Sequence, residues 1–350
     1  MDYRRLGRTD LNVSSICLGT MTFGEQNTEA EGHAQMDFAV DRGINFLDTA
    51  ELYPIAPIKE TQGRTERIIG TWLKSRGNRD KIVLASKVVG RTANTWFRKD
   101  GSEGRLTKVQ IEEAVNQSLR NLQTDYIDLY QLHWPDREVS GFGSNPTQWV
   151  DTEPAADETP IEVTLEALDG LVKAGKVRHI GLSNESAWGT MTFVKAAEAM
   201  GLPRVASIQN AYSLVNRTFE INLAEIALRE NVGLLAYSAL AQGYLTGKYR
   251  NGALPHGTRK TLFNRLQRYE KPGTAEAIDD YLALAKEAGL DVAQMAIAFA
   301  LGRSFVTSVI IGATHMDQLE TDIAAADVKI TDDLEARINA IHQVRGNPAP

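Results

Sequence analysis

The 350-residue chain contains a single cysteine, Cys17, so no intrachain disulfide can form and an apolar core has to hold the fold. Cys17 lies within SSICLGT, where it reads as a small core residue rather than a reactive thiol. Positive charge is not in excess: 38 Lys and Arg stand against 45 Asp and Glu, a net charge of -7. That balance argues against general affinity for nucleic acid or anionic membranes, but leaves room for a local basic pocket that takes a phosphate. No apolar run approaches the length of a membrane span, and the first residues, MDYRRLGRTD, lack the apolar core of a secretory signal. A cytoplasmic location is expected. Also missing is a G-x-G-x-x-G turn after the first apolar run, since ICLGTMTFG carries no such phosphate crevice. There is no linker, no low-complexity segment and no helical seam that marks an oligomer interface. One domain over residues 1–350 is expected.

What is present is a repeat of strand and helix. Hydrophobic residues make up 43% of the chain and charged residues 24%, enough for a large core. The candidate strands are ICLGTM, NFLDTA, KIVLASKV, YIDLYQLHW, HIGLSN, VASIQNAY, GLLAYSAL and TSVIIGA. They are nearly continuous apolar runs, as in parallel sheets covered on both faces. Amphipathic helical patterns lie between them; in the first, Ala34, Phe38 and Ala39 form the expected apolar stripe, and Gly43 the stop. An open doubly wound sheet also alternates in this way. The count of about eight units and the missing Gly-rich turn favour a closed α/β architecture, a (β/α)8 TIM barrel. YRRLGRTDLNVSS reads as an N-terminal hairpin at the barrel bottom, and TDDLEARINAIHQ as an extra C-terminal helix.

Three connections are long, and all leave strand C-terminal ends, the face where barrels of this kind do chemistry. They follow the third strand (with Trp96), the fourth (with Trp149) and the seventh. Polar groups end the strands on that same rim: Asp48 in NFLDTA, Lys87 in KIVLASKV and His133 in YIDLYQLHW, with Tyr53 just beyond Asp48. Singly, each has a plain structural explanation. Asp48 can cap a turn, Lys87 can be solvated, His133 can be a hydrogen-bonded core residue, and Tyr53 alone says little. Together they suit carbonyl reduction. A phenol can protonate a developing alkoxide, an ammonium beside it lowers its pKa, a carboxylate balances that ammonium, and a histidine orients the substrate oxygen.

The segments NFLDTAELY, SKV, LYQLHW, IGLSN, IQNAYSL and LLAYSALAQGYLTGKY, in this order, resemble those of the aldo-keto reductases from near residue 3 to near residue 345. GTMTFGEQN, ELYPIAPIKETQG and the ending NPAP further resemble a bacterial Tas-like branch. The resemblance implies NADPH-dependent reduction of aldehydes or ketones, with Tyr53 as general acid, Lys87 tuning it, Asp48 pairing with Lys87, and His133 orienting the carbonyl. It implies NADP(H) as cofactor. Thr20, Met21 and Asp48 would lie beside it, Ser183, Asn184 and Gln209 would bind the nicotinamide carboxamide, and Tyr237 would stack on the ring. Ser238, Leu240 and Gln242 would line the pyrophosphate, with Lys248 and Arg259 neutralising phosphates. Gly312 and Thr314 precede a helix whose N-terminus suits the 2′-phosphate, and Gln318 and Asp322 would reach the adenine. Two positions depart from the family pattern. His315 or Thr314 stands near the place of a phosphate-gripping arginine, and Asp322 replaces an asparagine.

The expected substrate pocket comprises Met21, Tyr53, Trp134 and the first two long loops, with Trp96 and Trp149 either lining it or packing the loops. It suits small carbonyl compounds. Two rival readings remain. Some relatives lack the histidine and act as NADPH-binding regulatory subunits of ion channels, but His133 is present here. A metal-dependent barrel enzyme needs a cluster of ligands, and Asp48 and His133 have no convincing third partner, so no metal is expected.

Overall fold

The computed structural model of the chain describes residues 1–139 and 153–349. It begins with an antiparallel hairpin, β1 (Tyr3–Arg5) and β2 (Asn12–Ser14). The eight apolar runs follow as β3 (Ile16–Gly19), β4 (Phe46–Asp48), β5 (Val83–Val88), β6 (Ile127–Leu132), β7 (Val177–Ser183), β8 (Val205–Ala211), β9 (Gly233–Tyr237) and β10 (Val306–Ile311). Each pairs in parallel with its neighbours, and β10 returns to β3 with Ile310 opposite Cys17. The sheet therefore closes, and no strand edge is left unpaired. Around it run α1 (Glu29–Asp41), α2 (Arg64–Arg76), α3 (Lys108–Leu122), α4 (Ile161–Lys173), α5 (Ala187–Met200) and α6 (Leu223–Glu230). The seventh connection carries α7 (Arg259–Phe263), α8 (Thr274–Glu287) and α9 (Val292–Leu301), and α10 (Met316–Ala324) and α11 (Asp332–Arg345) close the chain. Among the described residues, no helix is long and apolar enough to cross a membrane.

The stripe expected on α1 is turned relative to its real buried face. Ala34 is exposed and Phe38 half-buried, whereas Gly32, Gln35, Met36 and Ala39 face inward. Close approach sets this rotation: a Cβ on Gly32 would sit 3.1 Å from the Phe23 ring and 3.3 Å from Ile68. Phe38 instead lies under the Arg42 guanidinium, 4.5 Å from its ring centre. Gly43, at φ 88°, does end the helix, where a side chain would be strained.

Side chains alternate across the barrel wall. The outward residues of the strands pack with the helices in the main core. The inward ones form a second apolar cluster of Cys17, Phe46, Val83, Ala85, Leu129, Ala206 and Leu235, joined by Leu6 and Val13 from the hairpin. The hairpin thus plugs the bottom of the barrel, and burying Leu6 and Val13 contributes about 1.5–3 kcal/mol each. Its turn needs Gly7, which has φ 55° and leaves only 2.3 Å between a Cβ and the Ala206 carbonyl oxygen. Gly7→Ala is expected to lower stability by about 1–3 kcal/mol through backbone strain and the collision. Denaturant unfolding measures this, and an unchanged midpoint would show that the plug does not need that close approach.

Candidate active site

Above the apolar layer, the inward positions of the barrel become polar. Asp48 ends β4, Lys87 lies near the end of β5, and Gln131 faces Lys87 across the β5–β6 ladder. The Lys87 ammonium is fully buried and donates to Asp48 Oδ2 at 2.6 Å and to the Thr49 carbonyl at 2.8 Å. Asp48 Oδ1 accepts from Gln209 Nε2 at 2.8 Å and from Gln131 Nε2 at 3.2 Å. Thr20 Oγ1 donates to the Asp48 carbonyl at 2.8 Å. One carboxylate thus organises four strands.

Tyr53 sits over this layer on the loop after β4. The Lys87 ammonium lies 5.0 Å from its ring centre, close enough for its charge to act on the hydroxyl. Burial pushes the Tyr53 hydroxyl above the ordinary phenol value, and Lys87 pulls it only part of the way back. The sequence-based expectation of a net lowered pKa is therefore reversed in this environment, and the phenol is protonated at neutral pH. Burial also works against the Lys87 charge, but Asp48 and Tyr53 outweigh it and the net shift is upward. The His133 ring packs edge-on to Tyr53 with centres 5.7 Å apart. Burial, with the Lys87 charge nearby, holds His133 well below its ordinary value, so the imidazole is neutral. Among the described residues its Nδ1 has no hydrogen-bond partner.

Beside these residues lies an apolar wall in which Ala50, Leu52, Tyr53, Val89 and Phe97 pack with Met21, Ile55, Trp96 and Trp134. The expected pocket residues Met21, Tyr53, Trp96 and Trp134 are brought together; Trp149 lies outside the described residues. Trp134 is held by a bond from Nε1 to the Arg91 carbonyl at 2.8 Å. Arg91 and Arg105, from the first long loop, both pair with Asp157 of the second, each at 2.9 Å.

On the opposite side of the mouth, Ser183 Oγ donates to the Gln209 carbonyl at 2.9 Å. Asn184 Nδ2 donates to the His133 carbonyl at 2.9 Å and to Ser183 Oγ at 3.0 Å, and Tyr237 donates to Asn184 Oδ1 at 2.6 Å. After β9 the backbone turns through left-handed positions at Ser238, Ala241, Gln242 and Gly243, beginning the strap from 238 to 273. Leu240 immediately precedes the short helical turn Ala241–Thr246. Strap residue Arg259 donates to Gln242 Oε1 at 3.2 Å, but its Nε has no partner among the described residues. Burial, then the Arg259 charge, lowers the Lys248 pKa; burial likewise lowers that of Arg259. Among the described residues neither cation is in an ion pair, so both are placed to accept an anion. A Cβ at Gly243 would lie 2.7 Å from Lys248 Nζ, so the glycine leaves the ammonium its space.

The N-terminus of α10 has no side-chain cap from His315. Gly312 is exposed just ahead of it, and Thr314 donates to Gln318 Oε1 from its N–H (3.1 Å) and hydroxyl (3.2 Å). Gln318 and Asp322 are one turn apart, but Gln318 is exposed and folded back on Thr314 while Asp322 is buried. Burial, with Asp291 nearby, raises the Asp322 pKa to about 7 against the pull of Lys248. These groups fit an anionic dinucleotide: two cations without an ion pair and a guanidinium nitrogen without a partner among the described residues, and a helix end without a side-chain cap.

The model of the aldo/keto reductase family matches residues 15–343. The chain belongs to the aldo/keto reductase family. Members of this family are oxidoreductases that in general use a nicotinamide cofactor. The chain is 49% identical to Protein tas of Escherichia coli, over the whole of both chains. It is 33% identical to the uncharacterized oxidoreductase YrpG of Bacillus subtilis over 100% of this chain and 98% of that one. It is also 30% identical to a probable voltage-gated potassium channel subunit beta of Arabidopsis thaliana, over 94% and 92% of the two chains.

Sequence reasoning missed Gln131, although it stands two residues before His133 and so shares its inward face under strand periodicity. It also missed Glu51 and Arg98, buried partners that are 47 residues apart. The neutral state of His133 generates a test. Its folded pKa lies below the unfolded value, so its contribution to stability is present above about pH 6.5 and is lost as pH falls. Between pH 6.5 and 5 the wild type should lose up to about 1.4 kcal/mol per pH unit more stability than His133→Gln. Parallel curves from denaturant unfolding would show that His133 carries a proton in the fold.

Proposed function

We propose that this aldo/keto reductase is an NADPH-dependent carbonyl reductase that converts small aldehydes and ketones to alcohols, with Tyr53 as the general acid. The observation that carries this reading is the fully buried Lys87 ammonium, set between the Asp48 carboxylate at 2.6 Å and the Tyr53 ring, whose centre is 5.0 Å away. A reduced nicotinamide, when bound, would supply the hydride for the carbonyl carbon. Tyr53 holds its proton until charge develops on the substrate oxygen, then donates it, and Lys87 stabilises the phenolate left behind. Asp48 keeps Lys87 charged and in place. Neutral His133 donates a hydrogen bond that orients the carbonyl. Met21, Trp96 and Trp134 give the substrate an apolar, water-poor bed.

Ser183, Asn184 and Gln209 would hold the nicotinamide carboxamide, with Tyr237 against the ring and Thr20 beside Asp48 at the rim. Ser238, Leu240 and Gln242 would border the pyrophosphate. Lys248 and Arg259 would meet phosphates, and Gly312, Thr314, Gln318 and Asp322 the adenosine end. The unpaired state of the two cations supports NADP(H) over NAD(H). A cytoplasmic enzyme acting on a small molecule is the matching cellular reading.

The similarity to potassium-channel β subunits favours a second reading, an NADPH-binding regulatory or redox-sensing subunit with little turnover. The set of Asp48, Tyr53, Lys87 and His133 around one mouth supports turnover instead.

Tyr53→Phe is expected to lower kcat for a model aldehyde by about 10²–10⁴-fold, the range for a positioned acid, while NADPH binding measured by fluorescence is retained. Unchanged turnover would remove Tyr53 from its role. Lys248→Ala and Arg259→Ala are each expected to weaken NADPH by about 10–100-fold, as when a charge-assisted hydrogen bond is lost, and to weaken NADH less. Equal losses for both cofactors would contradict a 2′-phosphate contact.

A further inference from the structure

One buried ion pair at the mouth has no part in the mechanism above. Glu51 and Arg98 are 2% and 3% exposed. Arg98 Nη1 donates to Glu51 Oε2 at 3.0 Å and Nη2 to Oε1 at 3.1 Å, a fork-to-fork contact that fixes both distance and orientation. Each partner is tied to a different part of the site. Glu51 Oε1 accepts from the Val89 N–H at 2.7 Å. The Glu51 N–H donates to the Lys87 carbonyl at 3.1 Å, and its own carbonyl accepts from Gln62 Nε2 at 3.1 Å. Arg98 donates through Nε to Gln110 of α3 at 3.1 Å and through Nη1 to the Phe97 carbonyl at 3.1 Å.

Glu51 stands two residues before Tyr53, and Arg98 directly follows Phe97 and Trp96. The pair therefore clamps the segment that carries the phenol to the segment that builds the apolar wall against it. Stability alone does not explain the pair, because a buried ion pair contributes little net stability relative to apolar side chains of similar volume. What it adds is a directional, rigid tie between two segments whose other side chains meet through apolar packing.

We propose that Glu51 and Arg98 are positioning residues that set the gap between the Tyr53 hydroxyl and the Trp96–Phe97 wall, and thereby the bulk of the carbonyl compound admitted. The proposal deepens the reading of Tyr53 as the acid and rests on it.

The test uses the full chain and two variants. E51Q/R98M removes both charges at similar volume and leaves an acceptor for the Val89 N–H, while Arg98→Lys keeps the charge but loses the fork. Hydrogen exchange is followed across the chain, and NADPH oxidation is measured with propanal and 2-naphthaldehyde. In E51Q/R98M, amides at 94–99 should exchange about tenfold faster or more, equivalent to about 1.4 kcal/mol of local protection, with the barrel strands unchanged. The kcat/KM ratio of the bulky to the small aldehyde should change by about tenfold, chiefly through KM, the scale on which a hydrophobic pocket discriminates size. Arg98→Lys should fall between wild type and E51Q/R98M, and NADPH affinity should hold. Unchanged protection at 94–99 overturns the proposal, as does an equal loss for both aldehydes, which marks a purely structural pair. If E51Q/R98M does not fold, Arg98→Lys carries the same two outcomes. If wild type reduces neither aldehyde, the Tyr53 reading fails separately, and the exchange result alone decides whether the clamp exists.

Discussion

The Lys87 ammonium is buried completely and meets the Asp48 carboxylate at 2.6 Å. A charge at such depth carries a desolvation penalty of several kcal/mol, and removing one partner of a buried pair costs about 3–5 kcal/mol. The surrounding barrel answers that demand. Gln131 and Gln209 donate to the second carboxylate oxygen, the Thr49 carbonyl accepts from the ammonium, and Thr20 pins the Asp48 backbone. Closure of the sheet makes this possible, because residues far apart in sequence, from β4 to β8, converge on one axis.

Burial sets the protonation states around the pair, and the Lys87 charge modulates them. The positive partner lies beside His133 and Tyr53, and burial acts on both in the direction that favours their neutral forms. A neutral imidazole and a phenol that still holds its proton are what the proposed carbonyl reduction asks of the mouth. The apolar layer below, sealed by Leu6 and Val13, keeps the polar layer from being solvated from beneath. The described parts of the first and third long connections border the mouth, one with an apolar wall and the other with a strap whose Lys248 and Arg259 form no ion pair among the described residues. A single rim thus holds an apolar wall on one side and two half-buried cations on the other, the arrangement on which the proposed carbonyl reduction rests.

Much of this was legible in the sequence, for definite reasons. Continuous apolar runs announce strands buried on both faces, so all eight barrel strands, the hairpin and the terminal helix emerged from pattern alone. Asp48, Lys87 and His133 were visible because an ionisable group at the end of an apolar run is unusual. Three things were not legible. The rotation of α1 depends on how closely Gly32 approaches Phe23, which periodicity does not encode when Ala34 is as apolar as the residues on the true face. The direction of the Tyr53 pKa depends on burial as well as on its neighbour, and burial is set by loops distant in the chain. The Glu51–Arg98 pair joins two loops, where no strand or helix period relates one residue to the other.

The central claim is that the Lys87 charge acts directly on the Tyr53 hydroxyl. The most direct measurement is a pH titration of the Tyr53 ring carbon bearing the hydroxyl, followed by NMR with labelled tyrosine in wild type and in folded Lys87→Met. The account predicts that Tyr53 ionises at distinctly higher pH once the ammonium is gone, because burial and the Asp48 charge then lose their main opponent. Titration at the same pH in both proteins would contradict it.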